Sequence, residues 1–222
     1  MTGWAKRPTR AFTTALLVYM ALEAPRIIGS EELRRVFAKN EDLKARAIWN
    51  RVNELREAIG PERIVREGGG YRFVGEIVCD WTSFKVFVDD ARAAEGAERE
   101  RLLRSALELG RGAPFEDAHA AMLEWAASSR RIKRISTAVA DAAHELSAAL
   151  LAEKRFDEAE QAARDGLRAD RNSEVLVEDM ILAAEVSKVR YAQAWKEAAE
   201  LLGEDDSRLA ELRAKFDGPR HT

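Results

Sequence analysis

The chain has one cysteine, Cys79, so no disulfide can form within it, and that usage suits a reducing compartment. Its three histidines, His119, His144 and His221, lie far apart, and none is near Cys79 in sequence. No zinc-ligand spacing results. Asp89-Asp90 and Asp205-Asp206 lack partner ligands at the intervals of a calcium-binding loop and read as solvated helix surface. The longest apolar run, Ala15 to Leu22, falls well short of the ~20 residues a bilayer-crossing helix needs. Lys6, Arg7 and Arg10 precede it, but Glu23 and Pro25 follow without a small-residue cleavage pattern, so no signal peptide is expected. There is no Gly-x-Ser-x-Gly elbow and no nucleophile–base pattern. Gly68-Gly69-Gly70 is not followed by the Gly-Lys-Ser/Thr of a phosphate loop, which argues against a nucleotide site. These absences set the expectation of a noncatalytic cytoplasmic protein with no cofactor, no metal and no membrane span.

What is present is a chain long enough, at 222 residues, for two domains with separate cores. A composition 46% hydrophobic and 34% charged is that of a folded, helix-rich chain rather than a disordered one. The net charge of −3 hides an asymmetry. Residues 1–75 hold 14 Lys and Arg against 9 Asp and Glu, or +5, leaving 22 against 30, or −8, for the remainder. A basic front and an acidic back fit one domain that meets phosphate and one that does not.

The front half reads as helix, extended link, short helix, long helix and ribbon. Thr9 can cap a first helix with a broad apolar face, Phe12, Leu16, Leu17, Tyr19, Met20 and Leu22, ending at Pro25. Arg26 to Gly29 is a short extended link. Ser30, followed by Glu31 and Glu32, opens a short helix carrying Leu33, Val36 and Phe37. Asn40 caps the long one, which stops at Gly60-Pro61. In that helix Ile48, Val52, Leu55 and Ile59 fall at i, i+4, i+7 and i+11, one apolar stripe. Arg46, Asn50, Asn53, Glu54 and Glu57 occupy the opposite side, while Trp49 and Tyr71 are expected to pack. Arg63–Arg66 and Tyr71–Val74 are the ribbon strands, and the glycines between them allow the positive φ of a tight hairpin.

Leu55-Arg56, then Arg63-Ile64-Val65, then Gly69-Gly70-Tyr71-Arg72-Phe73 resemble the OmpR-type winged helix. That resemblance implies a recognition helix in the DNA major groove and a wing on the adjacent minor groove. It matches Arg46, Arg51 and Arg56 to backbone-contacting positions, Asn50, Asn53 and Glu54 to base-facing ones, and Arg66 to the wing tip. The residue chemistry agrees: Asn pairs with adenine, Glu accepts from cytosine, and Arg supplies phosphate contacts. Glu54 stands where the family often has Arg, so the family's base preference does not carry over. The family also has a small sheet before its first helix. Only about nine residues precede that helix here, so either that platform is absent or the chain is a shortened version.

After Glu76 the pattern is helical. Asp80, Trp81, Phe84 and Phe87 open one helix, and Leu102 to Leu109 mark another that stops at Gly110 to Pro114. Met122, Trp125, Ile132 and Ile135 fit one long helical run. Residues 140–173 carry Leu146, Leu150, Phe156, Ala159 and Ala163 at offsets similar to a tetratricopeptide helix pair of about 34 residues. A weaker copy follows around Ile181 and Tyr191, and Ser207 to Phe216 caps the stack. Asp80-x-x-x-Phe84, Leu102-Leu103-x-x-Ala106-Leu107, Arg111-Gly112-x-Pro114-Phe115 and Glu124-Trp125, in that order, resemble the bacterial transcriptional activator domain. Gly110 departs from that family's bulky aromatic. Together the two resemblances cover most of residues 9–217 and are those of the Streptomyces antibiotic regulatory protein class.

The expected fold is mainly α, with a winged helix-turn-helix in residues 1–76 and an all-α, tetratricopeptide-like domain in 77–222. The expected function is sequence-specific binding of double-stranded DNA by a transcriptional activator. The resemblance implies RNA polymerase contact or homodimer formation through the second domain. The alternative is a noncatalytic adaptor using both domains as protein-binding surfaces.

Overall fold

Apolar positions spaced for a helix face close a first core in which three helices back onto a small sheet. The computed structural model describes residues 11–37, 45–116, 118, 125–127 and 130–217, and Asn40 lies outside them. Helix α1 (Ala11–Glu23) buries Ala15, Leu16, Tyr19 and Met20, adjacent pairs one turn apart. Strand β1 (Ile28–Gly29) leads into α2 (Ser30–Phe37), whose acidic first turn and basic last turn, which carries Arg34 and Arg35, complement the helix dipole. Helix α3 (Ala45–Ile59) buries Ile48, Val52, Leu55 and Ala58. It ends where Gly60 takes φ 110°, and a 3-10 turn, Pro61–Arg63, begins.

Strands β2 (Ile64–Glu67) and β3 (Gly70–Phe73) follow as an antiparallel hairpin, with Ile64 opposite Phe73 and Glu67 opposite Gly70. Gly68 and Gly69 have φ of 55° and 77°, as a two-residue turn with both central residues left-handed requires. The Arg26–Gly29 link does more than connect. Ile28 pairs with Tyr71 and Gly29 with Gly70, so the sheet has three strands in the order β1-β3-β2. Gly70 is needed there for another reason: a Cβ would stand 2.3 Å from the Ile28 carbonyl oxygen.

The rest of the described chain is helical: α4 (Asp80–Ala93), α5 (Gly96–Leu109), α6 (Arg131–Ala152), α7 (Phe156–Ala169), α8 (Glu174–Ala184), α9 (Lys188–Leu202) and α10 (Ser207–Asp217). The run expected from Met122 to Ile135 is not one helix. Arg130 takes φ 58°, outside the helical region, and α6 starts after it. No described helix is long and apolar enough to cross a membrane.

The chain forms two compact units, residues 1–82 with 115–132, and residues 83–114 with 133–222. This differs from a single boundary between 76 and 77. The reason lies in aromatic packing. Trp125 is 1% exposed and sits edge-on to Tyr19 at 5.4 Å, with Phe37 at 6.1 Å and Phe115 at 6.0 Å. Arg131 covers Tyr19 at 4.6 Å and pairs with Glu23. A segment far along the chain thereby completes the first core.

The second unit's core draws on Ala140, Ala143, Leu167, Leu176, Met180, Ile181, Ala198, Leu202 and Leu212. Small residues let its helices approach closely. A Cβ on Gly166 would meet Ala143 Cβ at 2.5 Å and Leu176 Cδ1 at 2.6 Å. Ion pairs link α5 and α9 to α7 at the surface: Arg104 to Glu158 at 2.7 Å, Arg164 to Glu197, and Arg190 to Glu160.

Candidate nucleic-acid interface

Because Ile48, Val52 and Leu55 hold α3 on the core, the 100° step between helix residues turns Arg46, Asn50, Asn53 and Glu57 to the opposite side. Arg46, Asn50 and Glu57 are exposed and Asn53 is half-buried. These side chains form a polar row in which a guanidinium and a carboxylate flank two amides. Such a row can donate to and accept from base edges and contact phosphate.

Three residues expected at the interface, Arg51, Glu54 and Arg56, are engaged elsewhere. Arg51 donates to both Glu54 oxygens at 2.9 Å, and Thr13 on α1 donates to Glu54 Oε2 at 3.2 Å. The Arg51 guanidinium also lies 5.8 Å from the Phe12 ring centre. At three residues' separation Arg51 and Glu54 share a helix flank, and that flank meets α1. Glu54 therefore belongs to the α1–α3 junction rather than the outward row. Arg56 is half-buried and donates to the Pro61 carbonyl at 3.2 Å, closing the C-terminus of α3. Arg66 is exposed on β2, across from Tyr71, toward the hairpin tip.

Trp49 reverses its expected role. It is 49% exposed, between the outward row and Arg56, whereas Tyr71 is buried as expected. Arg35, exposed in the last turn of α2, is a further basic candidate. The basic pair Arg34-Arg35 signals it in the sequence, but the two are not equivalent, since Arg34 is paired to Glu31 at 2.6 Å.

A separate network joins α1 to α2. Tyr19 donates to Glu32 at 2.5 Å, and Arg26 reaches Glu32 and Glu23. The hydrogen bonds from Arg26, against the opposing effect of burial, hold the Glu32 carboxyl down at about 2. Burial, followed by the bond to Glu32, pushes Tyr19 up to about 12.

The second unit has a surface cavity of about 420 Å³ bordered by Arg104, Leu107, Arg111, Leu146, Asp165 and Arg168. Arg104 and Arg168 are already paired there, to Glu158 and Asp165 at 2.7 and 2.8 Å. Among the described residues no group of three or more His, Cys, Asp or Glu could hold a metal ion. No known family model and no curated protein matches this chain.

Proposed function

We propose that the chain is a sequence-specific DNA-binding transcriptional regulator, acting as an activator, with α3 as the recognition helix of a winged helix and β2–β3 as its wing. The observation that carries this reading is the outward row of α3, Arg46, Asn50 and Asn53, on a helix whose other side is fully committed to the core. The exposed Arg66 on the following hairpin supports it. By the resemblance set out above, residues 77–222 are a bacterial transcriptional activator-like stack of tetratricopeptide-type helix pairs. It would serve self-association or contact with RNA polymerase. The close packing of α6, α7 and α8 around Gly166 supports a stacked-pair arrangement. On this reading the protein acts in the cytoplasm, needs no cofactor and catalyses nothing.

Selection from a random duplex pool, followed by gel shifts across a salt series, tests the reading. The expected result is an enriched motif and salt-dependent binding. Replacing Arg46 or Arg66 with Ala should weaken binding to every sequence and lower the salt slope by about one unit each. Replacing Asn50 or Asn53 should change which base is preferred at one position, with about 1–3 kcal/mol of discrimination lost. A protein adaptor is the second reading, favoured by Glu57 at the C-terminal end of the α3 row and by Arg51 held in its pair with Glu54. An unenriched pool without salt-dependent binding would select it.

A further inference from the structure

Trp49 is the largest apolar group on the outward side of α3, and core packing does not explain its exposure. Ile48, Val52, Leu55 and Ala58 already fill the buried face. Its surroundings are polar. On the helix, Arg46 lies three residues before it, and Asn50, Asn53 and Arg56 come one, four and seven residues after. A helix that docks in a protein groove presents apolar anchors at i, i+3, i+4 and i+7. From Trp49 those later positions are Val52, buried, then Asn53 and Arg56. The exposed surface of α3 thus offers one aromatic ring at the edge of a hydrogen-bonding row. Among base edges in a major groove, the thymine C5-methyl is the apolar group such a ring can meet.

We propose that Trp49 is a specificity residue that packs its indole on the C5-methyl of a thymine next to the bases addressed by Asn50 and Asn53. This rests on the reading of α3 as a recognition helix and adds the identity of one base. It also assigns the reason: the contact discriminates by shape and hydration, without a hydrogen bond.

The test uses the full chain and the duplex enriched from the random pool. Each thymine is replaced in turn by deoxyuridine, which keeps every pairing group and removes only the methyl. At one position the replacement should weaken wild-type binding about fourfold, the worth of one buried methyl group. Trp49→Ala should bind the thymine duplex more weakly by at least that factor, with an unchanged salt slope. It should bind the thymine and deoxyuridine duplexes equally. Thermal melting of Trp49→Ala should match wild type, since the side chain packs outside the core. Salt-dependent binding with a flat deoxyuridine scan would overturn the assignment to Trp49 and leave the recognition helix standing. So would a Trp49→Ala variant that still loses fourfold on methyl removal. Failure of the wild-type chain to bind any duplex would remove the recognition helix, and the thymine contact with it.

Discussion

Arg46 and Arg51 lie on one helix and carry the same charge, yet their surroundings give them different work. Arg46 is exposed in the outward row, whereas Arg51 is held by Glu54, which also accepts from Thr13 on α1. On the proposed DNA-binding reading, Arg51→Ala should therefore leave the salt slope nearly unchanged. Its effect should appear in urea unfolding, and at no more than about 1 kcal/mol, because both partners are roughly one-third exposed. Arg46→Ala should do the reverse. Glu32 supports a second prediction at this scale. Arg26 lowers its carboxyl from the ordinary 4.5 to about 2 in the folded chain. The stability this adds is complete above the unfolded value and is lost as pH falls through the folded one. With allowance for its partial exposure, about 1–2 kcal/mol should disappear between pH 6 and pH 3. Urea midpoints of wild type and Glu32→Gln, far apart at pH 6, should draw closer by pH 3 and meet only as pH falls below about 2.

At the scale of elements, the hairpin shows how one residue type answers two demands. Gly68 and Gly69 meet a dihedral requirement, and Gly70 meets a spatial one against the Ile28 carbonyl. Gly70→Ala must push β1 away from β3, at a cost of about 1–3 kcal/mol by analogy with overpacked sites. Because the obstacle is backbone, the variant should also lose amide protection at the β1–β3 pairs, which hydrogen exchange would detect. The glycine run and its flanking strands were legible in the sequence to within a residue, as were α1, the apolar stripe of α3 and its stop at Gly60. The third strand was not. Two residues carry no alternation, and Ile28 finds its partner 43 positions away, at Tyr71. The left-handed break at Arg130 was hidden for a related reason, since arginine is ordinarily a good helix former. In the candidate site, periodicity correctly set Arg46 and Asn50 outward. It could not show that Glu54 is captured by Thr13, a contact between distant positions on separate helices. Gly110 became intelligible only with its neighbour known: a Cβ there would stand 2.9 Å from Val139 Cγ2.

At the scale of the whole molecule, the first unit is assembled from two separated stretches of chain, and Trp125 is the residue that makes the second stretch matter. It is 1% exposed, and Tyr19, Phe37 and Phe115 surround it with tilted and edge-on contacts that an aliphatic replacement cannot reproduce. Trp125→Ala should destabilise the first unit by about 3–5 kcal/mol, the range for a large aromatic removed from a core. The loss should fall on that unit because Trp125 belongs to its core, while the second unit packs around Leu176, Met180 and Ile181. Denaturant unfolding followed by hydrogen exchange at single amides separates the two. Amides of α1 and β3 should exchange faster in Trp125→Ala, while those of α8 keep wild-type rates. On the proposed DNA-binding reading, affinity for the selected duplex should fall with the destabilised fraction of the first unit and recover when the temperature is lowered toward that unit's stability maximum. A chain ending at residue 76 would lack both Phe115 and Trp125 and should unfold at lower urea than the same unit in the full chain. Equal midpoints for the two would show that helices α1–α3 and the sheet close their core without the later segment. In that case Trp125 would be covering a finished core rather than completing it.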